Sequence, residues 1–200
     1  SSSKELKLPE PVEDGQTFEE NALIKAKSAS NLSNLISLSD DSGIEIDALD
    51  KQPGIYSARW AGPNRDFDFA MREVTRLLDE KKIPIAERTA RFVCALCLFY
   101  PNGEYFFFVG KVEGRVVWPP RGKYGFGYDA IFEPLNMNKT FGEITSGEKH
   151  SWTPKKIGLS HRAKAFAKFV SYLSQEKKMN DVRIKYLYPL ALLSVQVSIL

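Results

Sequence analysis

The chain has 200 residues, of which 43% are hydrophobic and 26% charged, with a formal net charge of +3. These proportions belong to an ordinary globular protein with one ample core, or a core with a small appended lobe. The charge is small and the basic residues scattered, with doublets only at Lys81-Lys82, Lys155-Lys156 and Lys177-Lys178, which excludes a dedicated DNA or RNA binder.

The opening stretch, SSSKELKLPEP, carries no apolar run of the kind a secretory signal needs. An acidic segment with Glu13 follows, and then Thr17-Phe18-Glu19-Glu20 reads as a capping box, in which the Thr17 hydroxyl and the Glu20 carboxylate satisfy each other's end of a first helical turn. Phe18, Ala22, Ala26 and Ala29 form one face of the predicted helix, and Lys25 lies within it. Next, Ile36 and Leu38 lead into Asp40-Asp41-Ser42-Gly43, after which Ile44, Ile46 and Ala48 alternate with Glu45 and Asp47. The pattern predicts a strand, a turn at DDSG and a second strand. Asp, Ser and Gly are turn formers in their own right. Two carboxylates at such a corner also suit a hard cation, which takes one or two of them and completes its shell with water and phosphate oxygens. A Gly/Pro-marked loop carrying Ser57 and Arg59 follows.

Residues 66–82 read as a second helix with Phe69, Val74, Leu77 and Leu78 inward. Thr89 to Tyr100 and Glu104 to Val117 read as long strands joined by Pro101-Asn102-Gly103, a hairpin signal. Cys94 and Cys97 stand three apart in the first of these, so they face opposite sides and read as buried, reduced thiols, as in a cytoplasmic protein. After the hairpin comes GKYGFGYD, residues 122–129, which lacks the Lys-Ser/Thr ending of a P-loop. It offers Phe126 and Tyr128 beside Asp129, and aromatic faces stack on nucleobases; a plain structural turn is the other reading. A short strand is expected over Ala130 to Phe132, and a helix start at Thr140 to Glu143.

Ser160 then caps a helix with Ala163, Phe166, Ala167, Val170 and Leu173 as its stripe. His161 and Arg162 stand at its N-terminus, where the helix dipole disfavours cations. A bound phosphate would resolve that conflict; a neutral His and a solvated Arg would also. The final segment, Tyr186 to Leu200, is apolar but shorter than the roughly 20 residues that span a bilayer, and reads as an added packing segment rather than a membrane anchor. Mixed strands and helices around one core predict an α/β, or mixed α+β, fold.

Taken in order, TFEENALIKA, SDDSGIEIDALDKQPGIYSARWAG, GFGYDAIF, TFGEIT and SHRAKAF resemble the inosine/xanthosine triphosphate pyrophosphatases, from about Leu8 to about Leu173. The resemblance implies a long, curved mixed sheet flanked by helices, two lobes with a central cleft, and a cytoplasmic homodimer. It implies Mg2+-dependent cleavage of ITP, dITP or XTP to the monophosphate and pyrophosphate. Carried over by motif, Asp41 is the general base and a metal ligand, with Glu13 as the second carboxylate and Asp40 beside them, while Ser42 and Lys25 lie against the substrate. Phe126, Gly127, Tyr128 and Asp129 match the stretch that holds the base, and His161 and Arg162 the pair at its edge. The family's lysine five residues before that histidine has two candidates: Lys149, in the motif-like EKH, and Lys156, which spacing favours.

The family's opening strand and Ser/Thr-Gly-Asn-x-x-Lys phosphate loop have no match in the sequence. The expected organisation is therefore a pyrophosphatase-like domain over residues 1–178 without those parts, and an extra apolar tail over 179–200. An inactive remnant or non-catalytic nucleotide-binding protein is the alternative reading.

Overall fold

The computed structural model describes residues 2–153 and 156–179; the apolar segment 186–200, and all of the predicted tail beyond Met179, lie outside the described residues. The described chain runs α1 (Phe18–Ser33), β1 (Ser37–Ile46), α2 (Phe67–Glu80), β2 (Thr89–Phe99), β3 (Tyr105–Val116), β4 (Phe132–Pro134), α3 (Ser146–His150), β5 (Trp152–Thr153), β6 (Lys156–Ile157) and α4 (His161–Met179). Four strands form one sheet in the order β1-β2-β3-β4, and β5 and β6 form a separate two-stranded sheet. The fold is thus mixed α/β, as expected. Among the described residues no helix is long and apolar enough to cross a membrane.

The described chain divides into two compact units, one of residues 2–41, 95–109 and 165–179, the other of 42–94 and 110–164. In the first, α1 starts where sequence places it. Thr17 is the N-cap and its hydroxyl accepts from the Glu20 amide at 3.1 Å. The Glu20 carboxylate, however, accepts from the Gln16 amide at 2.6 Å, so the box closes one residue early. Phe18, Ala22 and Ala26 are buried, joined by the polar Asn21 and Ser30. Phe108, Phe169 and Tyr172 pack as an aromatic group. Lys168 of α4 donates to the Val109 carbonyl at 2.6 Å.

The second unit holds an apolar core of Ile44, Ile46, Met71, Val74, Leu78, Phe92, Val116, Ile131, Phe132 and Phe141, among others. Ile44 and Ile46 point inward as their alternation predicts, while Glu45 and Asp47 join Arg91 and Glu113 in an ion network; Arg91 meets Asp47 and Glu113 each at 2.9 Å. Helix α2 is capped by Asp66, whose carboxylate accepts from the Phe69 amide at 2.8 Å. Its inward face is Ala70, Met71, Val74, Thr75 and Leu78, and Phe69 is 52% exposed, not inward.

Three further expectations shift. DDSG is not a turn but lies inside β1, which runs unbroken from Ser37 to Ile46. The expected strand over 130–132 is a 3-10 turn at Asp129–Ile131, and β4 begins at Phe132, pairing antiparallel with β3 through Val116↔Phe132 and Gly114↔Pro134. In α4, Ala163, Ala165, Ala167 and Phe169 are buried whereas Phe166, Val170 and Leu173 are only half-buried, so the apolar stripe is rotated from the predicted one.

Candidate active site

An extended strand throws successive side chains to opposite faces. Asp40 and Asp41 are neighbours in β1, and Asp41 meets the Asn21 and Lys25 donors of α1. Asn21 and Lys25 stand one helical turn apart on α1, on the same face. Asn21 Nδ2 donates to Asp41 Oδ2 at 3.3 Å and Lys25 Nζ to Asp41 Oδ1 at 3.0 Å, so each carboxylate oxygen has its own donor. Lys25 Nζ also lies 3.2 Å from Glu13 Oε1. Burial pushes the Asp41 carboxyl above its ordinary range, with Lys25 pulling the other way and the Glu13 charge adding to the rise. Burial alone would lower the Lys25 ammonium, but Asp41 and Glu13 outweigh it and hold the lysine charged.

Two carboxylates that converge on one cation form a hard oxygen donor set. That suits Mg2+, which dehydrates reluctantly and binds through one or two carboxylates plus phosphates. Among the described residues no cluster of three or more His, Cys, Asp or Glu forms a self-sufficient metal cage. Ser42 follows Asp41 in β1 and is half-buried.

A second group is built within the other unit around the 122–129 loop. Asp129 Oδ2 accepts from Lys149 Nζ at 2.8 Å and from the Phe126 amide at 3.3 Å, tying the loop to α3. Lys149 is 1% exposed and its pair is enclosed. Gly125, at φ +89°, sits directly over that pair, where a Cβ would run into both the Asp129 carboxylate and the Lys149 ammonium. Tyr128 is a supporting rather than a surface aromatic: its hydroxyl donates to the Ser57 carbonyl at 2.9 Å and its ring meets Phe67 edge-on. Ser57 is anchored in turn, its Oγ accepting from the Ile44 amide at 2.9 Å. Phe126 is 45% exposed, with the Arg162 guanidinium 5.5 Å from its ring centroid. Gly127 holds the backbone between the two aromatics at φ +64°.

His161 is 4% exposed and stacks on Phe92, with centroids 4.8 Å apart at 11°. Arg162 Nη1 lies 3.2 Å from His161 Nε2. A guanidinium has only donors, so Nε2 accepts and the neutral ring carries its proton on Nδ1. That Nδ1 is buried and has no hydrogen-bond partner among the described residues. Burial, with the Arg162 charge beside it, holds the imidazole well below its usual range, so the ring is a neutral N–H donor.

The two candidate lysines, of which spacing favours Lys156, have different surroundings. Lys149 reaches Asp129, while Lys156 is exposed on β6. Strands β5 and β6 pair antiparallel with Trp152 opposite Ile157, and the Gly158 amide donates to the Ser151 carbonyl at 2.7 Å. The Ser160 amide donates to the Lys149 carbonyl at 2.9 Å, so the backbone of Lys149 adjoins the start of the His161 helix. Sequence reasoning missed Asn21 and Phe92. A lone Asn on the Phe18-Ala22-Ala26 face of α1 was the available signal for the first; Phe92 carries none.

The Ham1 family model matches residues 1–172 of the chain. A dITP/XTP pyrophosphatase of Brucella melitensis is 52% identical over 187 residues, covering 91% of this chain and 83% of the relative. One from Agrobacterium fabrum is 53% identical over 174 residues, covering 84% and 81%. Among solved structures, the Staphylococcus aureus Ham1 protein superposes with a TM-score of 0.77 at 34% identity, covering 88% of this chain and 85% of its own. A HAM1 protein from Coxiella burnetii gives 0.78 at 34%, covering 86% and 84%.

Proposed function

From the premise that the chain belongs to the Ham1 family, we propose that it hydrolyses deaminated purine nucleoside triphosphates (ITP, dITP and XTP) to the monophosphate and pyrophosphate. The observation that carries this is the buried Asp41 carboxylate, gripped by Asn21 and Lys25 and sharing Lys25 with Glu13. A carboxylate raised toward neutrality by burial is a better proton acceptor, and Asp41 takes the proton of the water that attacks phosphorus. Glu13 and Asp41, with Asp40 nearby, would hold Mg2+, which when bound neutralises phosphate charge and acidifies water. Lys25 offsets negative charge gathering on the departing pyrophosphate. Ser42, next to Asp41 in β1, lies against the phosphates.

For the base, Phe126 supplies the stacking face, and the Asp129–Lys149 pair fixes the loop that carries it. The His161 Nδ1–H, which has no partner among the described residues, is a donor for a 6-oxo group, with Arg162 setting its tautomer. An adenine presents an amino group there, leaving two donors facing each other, which a buried site rejects strongly. In this reading residues 1–178 are the catalytic region of a cytoplasmic homodimer, and the small net charge with scattered basic residues supports a small-molecule substrate rather than a nucleic-acid or membrane partner.

The test is pyrophosphate release with Mg2+ from ITP, dITP and XTP, set against ATP and GTP. Asp41→Asn is expected to lower kcat by about 10²- to 10⁴-fold, the usual worth of a general base. No release above that variant from any of the three substrates overturns the proposal.

A further inference from the structure

Asn21 is a fully buried polar residue, 0% exposed, on the helix face that also buries Phe18, Ala22, Ala26 and Ser30. Both ends of its amide are used. Oδ1 accepts from the Gly15 amide at 2.9 Å, and Nδ2 donates to Asp41 Oδ2 at 3.3 Å. The orientation of the amide is thereby settled, because only the oxygen can accept from Gly15. Gly15 is packed so closely that a Cβ there would stand 2.7 Å from Asn21 Oδ1. Two residues before Gly15 is Glu13, and four after Asn21 is Lys25, which faces both carboxylates. One side chain therefore ties the backbone that carries Glu13 to the carboxylate of Asp41.

We infer that Asn21 is a positioning residue, which aligns Asp41 and Glu13 with each other so that the pair works as one oxygen donor set. The inference rests on the roles given to those two carboxylates above. Lys25 alone leaves Asp41 free to rotate about its remaining contact. With Asn21 in place, both oxygens are held and the proton-accepting lone pair has a fixed direction. Asparagine is the required residue: an aspartate keeps the acceptor for Gly15 but sets a second negative charge against Asp41, and an alanine loses both contacts.

The experiment uses the full chain with Asn21→Asp and Asn21→Ala, each checked by thermal melting, and Asn21→Ser where the alanine fails to fold. Two readouts are taken: kcat and KM for ITP hydrolysis, and Mn2+ binding without nucleotide, followed by electron paramagnetic resonance as a probe of the carboxylate pair. A misaligned reacting group costs up to about 10²-fold, so kcat is expected to fall about 10- to 100-fold in both Asp and Ala variants with KM nearly unchanged. Mn2+ binding is expected to weaken in the Ala or Ser variant. A folded Asn21→Asp with wild-type kcat shows that Asn21 only tethers Gly15, and overturns the inference. If the wild-type chain releases no pyrophosphate, the functional proposal fails on its own, and Mn2+ decides: equal affinity in wild type and Asn21→Ala overturns the positioning role, and weaker affinity in the variant upholds it.

Discussion

Replacing Lys149 with Met removes an ammonium that is 1% exposed and sits 2.8 Å from Asp129 Oδ2, while keeping most of the side-chain volume over the Phe141 ring. Breaking a buried ion pair from one side costs about 3–5 kcal/mol, because the other charge is left buried. Asp129 retains the Phe126 amide as a donor at 3.3 Å, which places the expected loss at the lower end, about 3 kcal/mol. For a chain of this size 1 kcal/mol moves the midpoint by about 2–4 °C, so Lys149→Met should melt about 6–12 °C below wild type. Lys156→Ala, on the exposed β6, should stay within about 0.5 kcal/mol, a shift of no more than about 2 °C. Differential scanning fluorimetry at neutral pH reads both. A double-mutant cycle with Asp129→Asn then isolates the pair, since adding Lys149→Met to a neutral residue 129 should cost far less. Equal small shifts for the two lysines, or full additivity in the cycle, would refute the assignment of Lys149 as the partner that holds the 122–129 loop.

Acid should destabilise the protein through its histidines. Burial, followed by the neighbouring Lys149 and Arg162, holds His150 and His161 below their ordinary range in the folded state. A depressed histidine contributes stability above about pH 6.5 and loses it as pH falls, because only the unfolded chain takes up the proton, at about 1.4 kcal/mol per pH unit per group. Melting curves from pH 7.5 to 5.5 should therefore slope downward, and His161→Gln should flatten the slope by about one proton; an unchanged slope contradicts a buried neutral His161. At the base end, Phe126→Ala should raise KM for ITP with kcat largely kept, since base-aromatic stacking is worth about 1–3 kcal/mol. Steady-state kinetics check it, and an unaltered KM removes Phe126 from the base site.

What is legible in the sequence divides along a physical line. Helix α1, helix α2 and the β2–β3 hairpin appear close to their predicted bounds because periodicity, caps and the Pro-Asn-Gly connection act over a few residues each. DDSG was misread because its residue types favour a turn in isolation, whereas in the protein β1 continues through it and the α1 donors satisfy Asp41. The same tertiary contacts explain why Asp41 could be singled out from Asp40 only by resemblance, and receives a physical reason only when strand alternation and the α1 face are both known. Distance along the chain and adjacency in the fold also part company before α4. His161 lies five residues from Lys156 in sequence, yet it is the Lys149 carbonyl that accepts from the Ser160 amide at the start of the His161 helix. Backbone hydrogen bonds can bring together residues that the chain separates, so a count of residues back from His161 does not by itself say which backbone lies beside that helix; the Ser160–Lys149 bond does, and residue spacing does not encode it.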